Sequence, residues 1–335
     1  MKECNLNFIF LRGSVPPKNE HPEKLYYKNI EECEDVWTQL FFYLCKKMNA
    51  HGELLYQGEN REFVVDGSLR EKWVPFLASY KPSFYPDLII CRGGFDYYDF
   101  FVERYPKAKK VYYGAGKRYF YSPNSCVKNY DLFLVDSKRQ LDFIRSHNKN
   151  VSLFIKPAAL LFKSYKVEKK YDICFMANAS QAKIKRHSLM IETFSNSKYK
   201  ILNLGNKDNS LIKLAKKLNT NVIWNGWSLR KNLPPKISEC KVGLCCSNNI
   251  DSNPRILPEM LACDIPIIVT DNVNFWREKY INEKTGIVTS EHDILSAVKF
   301  ILDNYDQFYP REYYEKYLSI EKSVEHLANL INRIL

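Results

Sequence analysis

Residues 251–266 read DSNPRILPEMLACDIP, and they hold the chain's most pointed arrangement of charge. An acid, a Ser-Asn-Pro turn and a base run into an apolar segment that keeps one carboxylate, Glu259, eight residues after Asp251. The pattern predicts a helix over 254–263, with Pro254 at its first turn. The free N–H groups of such an opening suit phosphate oxygens, with Ser252, Asn253 and Pro254 lining the turn and Arg255 adding a cation. Glu259 has apolar neighbours in EMLAC, so its face points toward an interior or a cleft. A carboxylate there needs a donor, and vicinal sugar hydroxyls are good ones. An i, i+4 pair with Arg255, worth about 0.2–0.5 kcal/mol, accounts for the same spacing.

Three other places could receive an anion. In MANASQAKIKRHSLMIETF, Lys183, Lys185 and Arg186 stand at the mouth of a helix expected over 182–196, where cations oppose the dipole unless a phosphate lies between them. LRGSVPP ends the first strand with Arg12 and Gly13, and CRGG ends another with Arg92, Gly93 and Gly94. Both are turns where backbone N–H groups and a guanidinium could meet a charged group. Glycine after a strand is also ordinary punctuation, and an arginine solvated at a strand end has the same appearance.

Strand ends carry chemistry only if the strands form a sheet. Apolar runs alternate with amphipathic helical segments throughout, the pattern of a parallel sheet covered on both faces. NLNFIFLRG, GELLY, DLIICRGG, AKKVYYGAG and YDLFLVD form one series; YDICFMAN, YKILNLG, NVIWNG, KVGLCC and IPIIVTD form a second. At 335 residues two domains are expected. The fold class is therefore α/β, two Rossmann-like doubly wound domains facing a cleft. The first is assigned to 1–165, the second to 166–310, and a helical stretch, 311–335, is expected to pack back across the junction. Ligands of doubly wound sheets sit beyond the carboxyl ends of the strands.

The net charge of +12 favours an anionic partner, and no basic tail exists to serve as a nucleic-acid arm. Arg104, Lys107, Lys109, Lys110, Lys117 and Arg118 cluster among tyrosines, either as a contact for acidic lipid head groups or an anionic acceptor, or as the solvated rim of two loops. The 23 Tyr and 20 Phe suit sugar or base stacking, or reflect compositional drift. Ten cysteines without metal spacing fit a reducing compartment. With no signal peptide and no membrane-length apolar run, the expectation is a cytoplasmic protein, in peripheral contact at most with the inner membrane surface.

NIDSNPRILPEMLACDIPIIVTD resembles the signature of GT-B glycosyltransferases of family 4, in which an E-x7-E motif precedes an AMACG-PV run and a strand. Glu259 matches the second acid, Asp251 stands in place of the first, and Asp264 replaces the glycine. NVIWNGWSLRKNLPPKISECKVGLCCS is similar to the run that precedes that signature, and Lys185 falls near the family's basic pair. The resemblance spans roughly residues 170–305. It implies a hexosyltransferase with no metal or cofactor, using a UDP- or GDP-linked sugar as donor. Glu259 would bind the ribose, and backbone N–H groups from Ser252 onward would hold the diphosphate. Lys185, with Lys183 or Arg186, would neutralise the leaving phosphate, and Asp251 would touch the sugar. Arg92 joins Asp251 and Lys185 as a catalytic candidate; Arg255, Arg12 and Gly13 join the donor-binding set. The family's histidine contact corresponds here to Tyr113–Gly114.

No D-x-D occurs in the chain, in keeping with a metal-independent transfer, and the motif favours retention of configuration by analogy. The acceptor would be a glycan or a lipid-linked glycan, as in surface polysaccharide synthesis. Two other classes fit parts of the pattern. A nucleotide-sugar epimerase would share the architecture, and a non-catalytic glycan or nucleic-acid binder would explain the charge but not Glu259.

Overall fold

A computed structural model describes residues 6–12, 29–57, 61–65, 69–74, 77–93, 97–114, 130–251 and 253–335. They form two compact units, residues 1–155 with 320–335 and residues 156–319.

The first unit is built on strands β1 (Leu6–Leu11), β2 (Ala50–Gln57), β3 (Arg61–Val65), β4 (Leu69–Val74), β5 (Leu88–Arg92), β6 (Lys109–Gly114), β7 (Leu132–Val135) and β8 (Val151–Leu153). Their order is β3-β4-β2-β1-β5-β6-β7-β8. All neighbours are parallel except β3 with β4. Apolar runs such as LNFIFL suit strands covered on both faces, and Phe8 to Leu11 are all buried. On one face Ile9, Leu11, Ile89 and Cys91 pack with Tyr98, Phe101 and Val102 of the helix Tyr97–Glu103. Against the other lies the helix Val36–Met48, capped by Asp35 accepting from Thr38 N and ended by Asn49 in the left-handed region. Helix Ile320–Asn332 packs on it in turn, and Ser323 donates to the carbonyl of Ile155 at 3.2 Å.

In the second unit β9 (Tyr171–Met176), β10 (Ile201–Leu204), β11 (Val222–Gly226), β12 (Cys240–Cys245), β13 (Ile267–Thr270) and β14 (Gly286–Thr289) form an all-parallel sheet of order β11-β10-β9-β12-β13-β14. The chain winds outward from β9 in one direction, then returns to β12 and winds in the other. The switch point lies between β9 and β12, as it lies between β1 and β5 in the first sheet. A crevice opens at the carboxyl edge of such a switch, because the two flanking connections leave in opposite directions.

The structure departs from the sequence expectations at several elements. β3 and β4 carry Glu62, Arg70, Glu71 and Lys72, too many charges for an apolar-run reading. Their charges are met in place: Glu71 accepts from Thr38 at 3.1 Å, Glu62 pairs with Arg70 at 3.5 Å, and Lys72 pairs with Glu53 of β2 at 2.7 Å. The helix expected over 182–196 is two, Ala182–Lys185 and His187–Thr193, broken at Arg186 with φ of 59°. The helix expected over 254–263 runs from Ile256 to Ala262, so Pro254 precedes it. Two further helices, Arg277–Tyr280 and Ile294–Asp303, lay outside the sequence reading.

Where β9 and β10 end, backbone meets backbone. A Cβ on Gly205 would lie 2.0 Å from the carbonyl oxygen of Ala177, whereas one on Gly114 would meet nothing closer than 3.7 Å. Gly205→Ala is therefore expected to cost about 3 kcal/mol or more, and Gly114→Ala under about 0.5 kcal/mol. Urea denaturation of the two variants checks the contrast.

Candidate functional site

In the second unit two loops flank the β9–β12 switch point, residues 177–186 and 246–255. Asn248 ties them: its N–H donates to the carbonyl of Ile184 at 2.8 Å, and its side-chain amide donates to that of Lys183 at 3.3 Å. Lys185 on the first loop is ion-paired with Asp251 on the second, both side chains mostly buried. Positive φ at Arg186 turns the chain back into the next helix. There His187 is buried with its ring edge-on to Phe175, 5.1 Å between centroids. Burial lowers the pKa of His187, so it stays neutral and structural.

The Arg186 guanidinium grips Glu291, just past β14, with two hydrogen bonds, and the Asn272 amide donates to the same carboxylate. Those hydrogen bonds, from Arg186 first, hold Glu291 below the usual carboxylate range. Lys183 extends into solvent. The three bases expected at one helix mouth are thus sorted: one free in water, one paired with Asp251, one committed to Glu291.

Glu259 lies in the first turn of helix Ile256–Ala262 and is only 3% exposed. Its Oε1 accepts from Arg230 Nη2 at 2.5 Å, and Oε2 takes no hydrogen bond from any described residue. Arg255 is exposed and is not its ion partner. The i, i+4 pair does not form because the helix turns Glu259 inward and Arg255 outward. Arg230 stands in the short turn Arg230–Asn232 after β11, its guanidinium 5.1 Å from the Phe162 ring centre. Nothing in the spacing marked Arg230, twenty-nine residues from its partner; fold alone joins them.

Asn253 has φ of 48° and is buried, with its N–H already donated to the carbonyl of Asn274 at 3.0 Å. Pro254 has no N–H. Of the main-chain donors expected to hold a diphosphate, Asn253 is therefore committed elsewhere, Leu257 N–H goes to the Pro254 carbonyl at 3.1 Å and Pro258 has none, which leaves those of Arg255 and Ile256. Ser252 and Gly13 lie outside the described residues.

The first unit's switch point is flanked by Arg12, directly after β1, and Arg92, at the end of β5. Arg12 Nε donates to Asp35 at 3.0 Å and Nη2 donates to the other oxygen of that carboxylate. Asp35 also accepts from the N–H and hydroxyl of Thr38, 3.1 Å each. Arg92 lies over the Trp37 ring at 5.2 Å, the geometry of a cation–π contact. Arg12 Nη1 and Arg92 Nε are buried without an acceptor among the described residues. Tyr113, at the position of the family's histidine, is buried beside Trp37, and its hydroxyl donates to Asp136.

The basic cluster of the first half is mostly engaged. Arg104 donates to the Tyr80 carbonyl at 2.9 Å and lies over Phe101, Lys109 pairs with Asp131 at 3.5 Å, and Lys110 reaches the Pro106 carbonyl at 3.4 Å. Lys107 is exposed, and Lys117 and Arg118 fall outside the described residues. Among the described residues no group of three or more His, Cys, Asp or Glu could hold a metal ion, and no helix is long and apolar enough to cross a membrane. The eight described cysteines are all buried.

Residues 157–317, a little under half of the chain, match the family model of glycosyl transferases group 1. No curated protein sequence matches the chain. Among solved structures, the sucrose-phosphate synthase of Thermosynechococcus elongatus aligns over 98% of both chains with a TM-score of 0.71 at 12% identity. The lipopolysaccharide outer core galactosyltransferase WaaB aligns over 98% of this chain and 100% of its own, with a TM-score of 0.68 at 12% identity. The Anabaena protein HepE, solved in complex with UDP and glucose, aligns over 98% of this chain and 100% of its own, with a TM-score of 0.66 at 10% identity. At such identities the likeness establishes the fold, the pair of Rossmann-like domains of the GT-B glycosyltransferases.

Burial alone would raise the pKa of Asp35, but the Arg12 charge and the hydrogen bonds from Arg12 and Thr38 override it and hold the carboxyl low. Asp35 and Glu291 both bind protons less readily folded than unfolded. Their contribution to stability is therefore complete above the ordinary carboxylate range and is lost as pH falls through their folded values. The melting temperature is expected to be flat from about pH 7 to 5 and to drop below about pH 4. Asp35→Asn should keep the helix cap, lose about 1–3 kcal/mol at pH 7 by stranding Arg12, and flatten the acid limb. Calorimetry across pH measures both.

Proposed function

We propose that the protein is a glycosyltransferase that moves a sugar from a nucleotide-diphosphate sugar to a glycan or lipid-linked acceptor. The observation that carries this reading lies in the segment matching group 1 glycosyl transferases. There a buried carboxylate with one uncommitted oxygen, Glu259, accompanies a cation–carboxylate pair, Lys185–Asp251, that joins the two loops of the sheet's switch point.

Each group then has a chemical task. Glu259 Oε2 accepts from the ribose hydroxyls, while Arg230 holds Oε1 and fixes the carboxylate's orientation. The N–H groups opening helix Ile256–Ala262, with Arg255 beside them, take the diphosphate. Cleaving the sugar–phosphate bond builds negative charge on the leaving oxygen, and fixed cations and N–H dipoles stabilise it without a metal. Lys185 supplies that cation by exchanging Asp251 for phosphate. Released from the ion pair, Asp251 turns to the hydroxyls of the transferred sugar. Arg186 acts indirectly, bracing the Lys185 loop through Glu291, with Lys183 at its solvent edge.

Arg12 and Arg92 each present a buried N–H at the switch point of the first sheet, suited to an oxygen of the donor or of the acceptor. Retention of configuration follows from the acid arrangement by analogy with the E-x7-E enzymes, the leaving phosphate assisting removal of the acceptor proton. UDP is the favoured nucleotide, in line with the ligand bound to HepE. A lipid-linked acceptor would bring the protein to the cytoplasmic face of a membrane, with Lys107 among its solvent-facing bases.

Glu259→Ala and Lys185→Ala are each expected to reduce transfer by at least about 10²-fold, the loss seen when a transition-state donor is removed, with the circular dichroism spectrum unchanged. A thermal-shift series over UDP-, GDP-, ADP- and CMP-sugars should raise the melting point with one nucleotide class, and Glu259→Ala should abolish that rise. Near wild-type turnover in either variant, or a donor shift that survives Glu259→Ala, would remove the assignment.

A further inference from the structure

One feature of the second unit takes no part in the switch-point site. Helix Pro310–Tyr317 has two faces of different character. Tyr314 and Arg311 hold its inner face: the Tyr314 hydroxyl accepts from the N–H of Ala158 at 3.2 Å, and Arg311 donates to the Ala262 carbonyl at 2.6 Å. The outer face carries Tyr309, Tyr313 and Tyr317. Their i, i+4, i+8 spacing places them on one side of the helix, about 6 Å apart along its axis. Tyr309 and Tyr317 are 49% and 50% exposed. Three exposed or half-exposed tyrosines on one side of a helix and its cap are an aromatic surface, which a folded chain keeps from water where it can.

The rings are held in position. Tyr313 and Tyr317 stand 4.7 Å apart between centroids, and the Tyr313 hydroxyl donates to the Lys279 carbonyl at 3.3 Å. Tyr309 N–H donates to the Lys284 carbonyl at 2.9 Å. Lys284 Nζ lies 5.8 Å from the Tyr309 ring centre and Lys316 Nζ 5.2 Å from that of Tyr317.

We infer that this tyrosine row is a surface binding site for a neutral glycan chain, separate from the donor site and independent of its assignment. Ring faces stack on the C–H faces of sugars, while the phenol and lysine groups donate to hydroxyls. The spacing of the rings is comparable with that of successive sugar units in an extended chain. Charge argues against the other occupants. The bases around the row, Arg277, Lys279, Lys284, Arg311 and Lys316, are nearly balanced by Glu278, Glu283, Glu312 and Glu315, so an anionic membrane or polyanion gains little there. A protein partner, whose interface would also be tyrosine-rich, is an outcome of the test below.

The test is native electrophoresis of the full chain in gels cast with dextran, amylopectin, laminarin or galactomannan. At least one polymer should retard the wild-type protein. Tyr309→Ala/Tyr317→Ala should weaken that retention about tenfold, the loss of two stacked rings, with an unchanged melting temperature. Tyr309→Phe/Tyr317→Phe should retain it, and so should Glu259→Gln, which separates this site from the donor site. The inference fails if no polymer retards the protein, if the alanine pair binds like wild type, or if Glu259→Gln abolishes retention. It fails equally if the pair changes only binding to phosphatidylglycerol vesicles, or converts a dimer to a monomer in light scattering.

Discussion

The Lys185–Asp251 ion pair bridges a gap that the strand order makes unavoidable. At the β9–β12 junction, neighbouring strands send their connections in opposite directions, which opens a crevice between them. Whatever lines that opening must come from the two loops. In this chain the loops bring opposite charges, mostly buried, and two hydrogen bonds from Asn248 hold them together. A half-buried lysine and aspartate are each costly alone and tolerable as a pair. The pair is therefore a structural clasp between the two loops.

Other charges at the carboxyl edges follow the same rule. Arg186 is satisfied by Glu291, Arg12 by Asp35, and Glu259 by Arg230. In each case one partner sits on the strand end or its loop and the other comes from a distant part of the same unit. Among the polar atoms left without a protein partner by the described residues are one oxygen of Glu259 and single nitrogens of Arg12 and Arg92. Buried polar atoms left open are rare in folded proteins, and those of Arg12 and Arg92 lie at the carboxyl ends of β1 and β5, which flank the first sheet's switch point. Glu259 is the most constrained of them. Its helix turns it inward, where Arg230 holds one of its oxygens.

Much of this was legible in the amino-acid order. The apolar runs that became β1, β5, β6, β7 and β9 through β13 are continuous, because parallel strands covered on both faces have no polar side to show. Four strands escaped notice, the short β8 and β14 and two that differ in character. β3 and β4 are laced with charge, which is met by partners on other elements: Thr38 of the helix Val36–Met48 for Glu71, and Glu53 of β2 for Lys72. Asp66-Gly67 between them is a hairpin signal that could have found them. The break at Arg186 was hidden for another reason: a left-handed residue usually announces itself as glycine or asparagine, and here the position is held by an arginine whose side chain is fixed by two hydrogen bonds to Glu291.

Local order thus determined that this chain would form two parallel sheets, that Glu259 would open a helix facing inward, and that Lys185 and Asp251 would stand at strand ends. Those outcomes depend on periodicity and on residues close in sequence. Only the tertiary structure decided who meets whom: Arg230 rather than Arg255 beside Glu259, Glu291 beside Arg186, Asn274 on the N–H of Asn253. Partners drawn from separate βα units are set by the order in which strands join the sheet, a choice made by the packing of the whole unit, and no spacing along the chain records it.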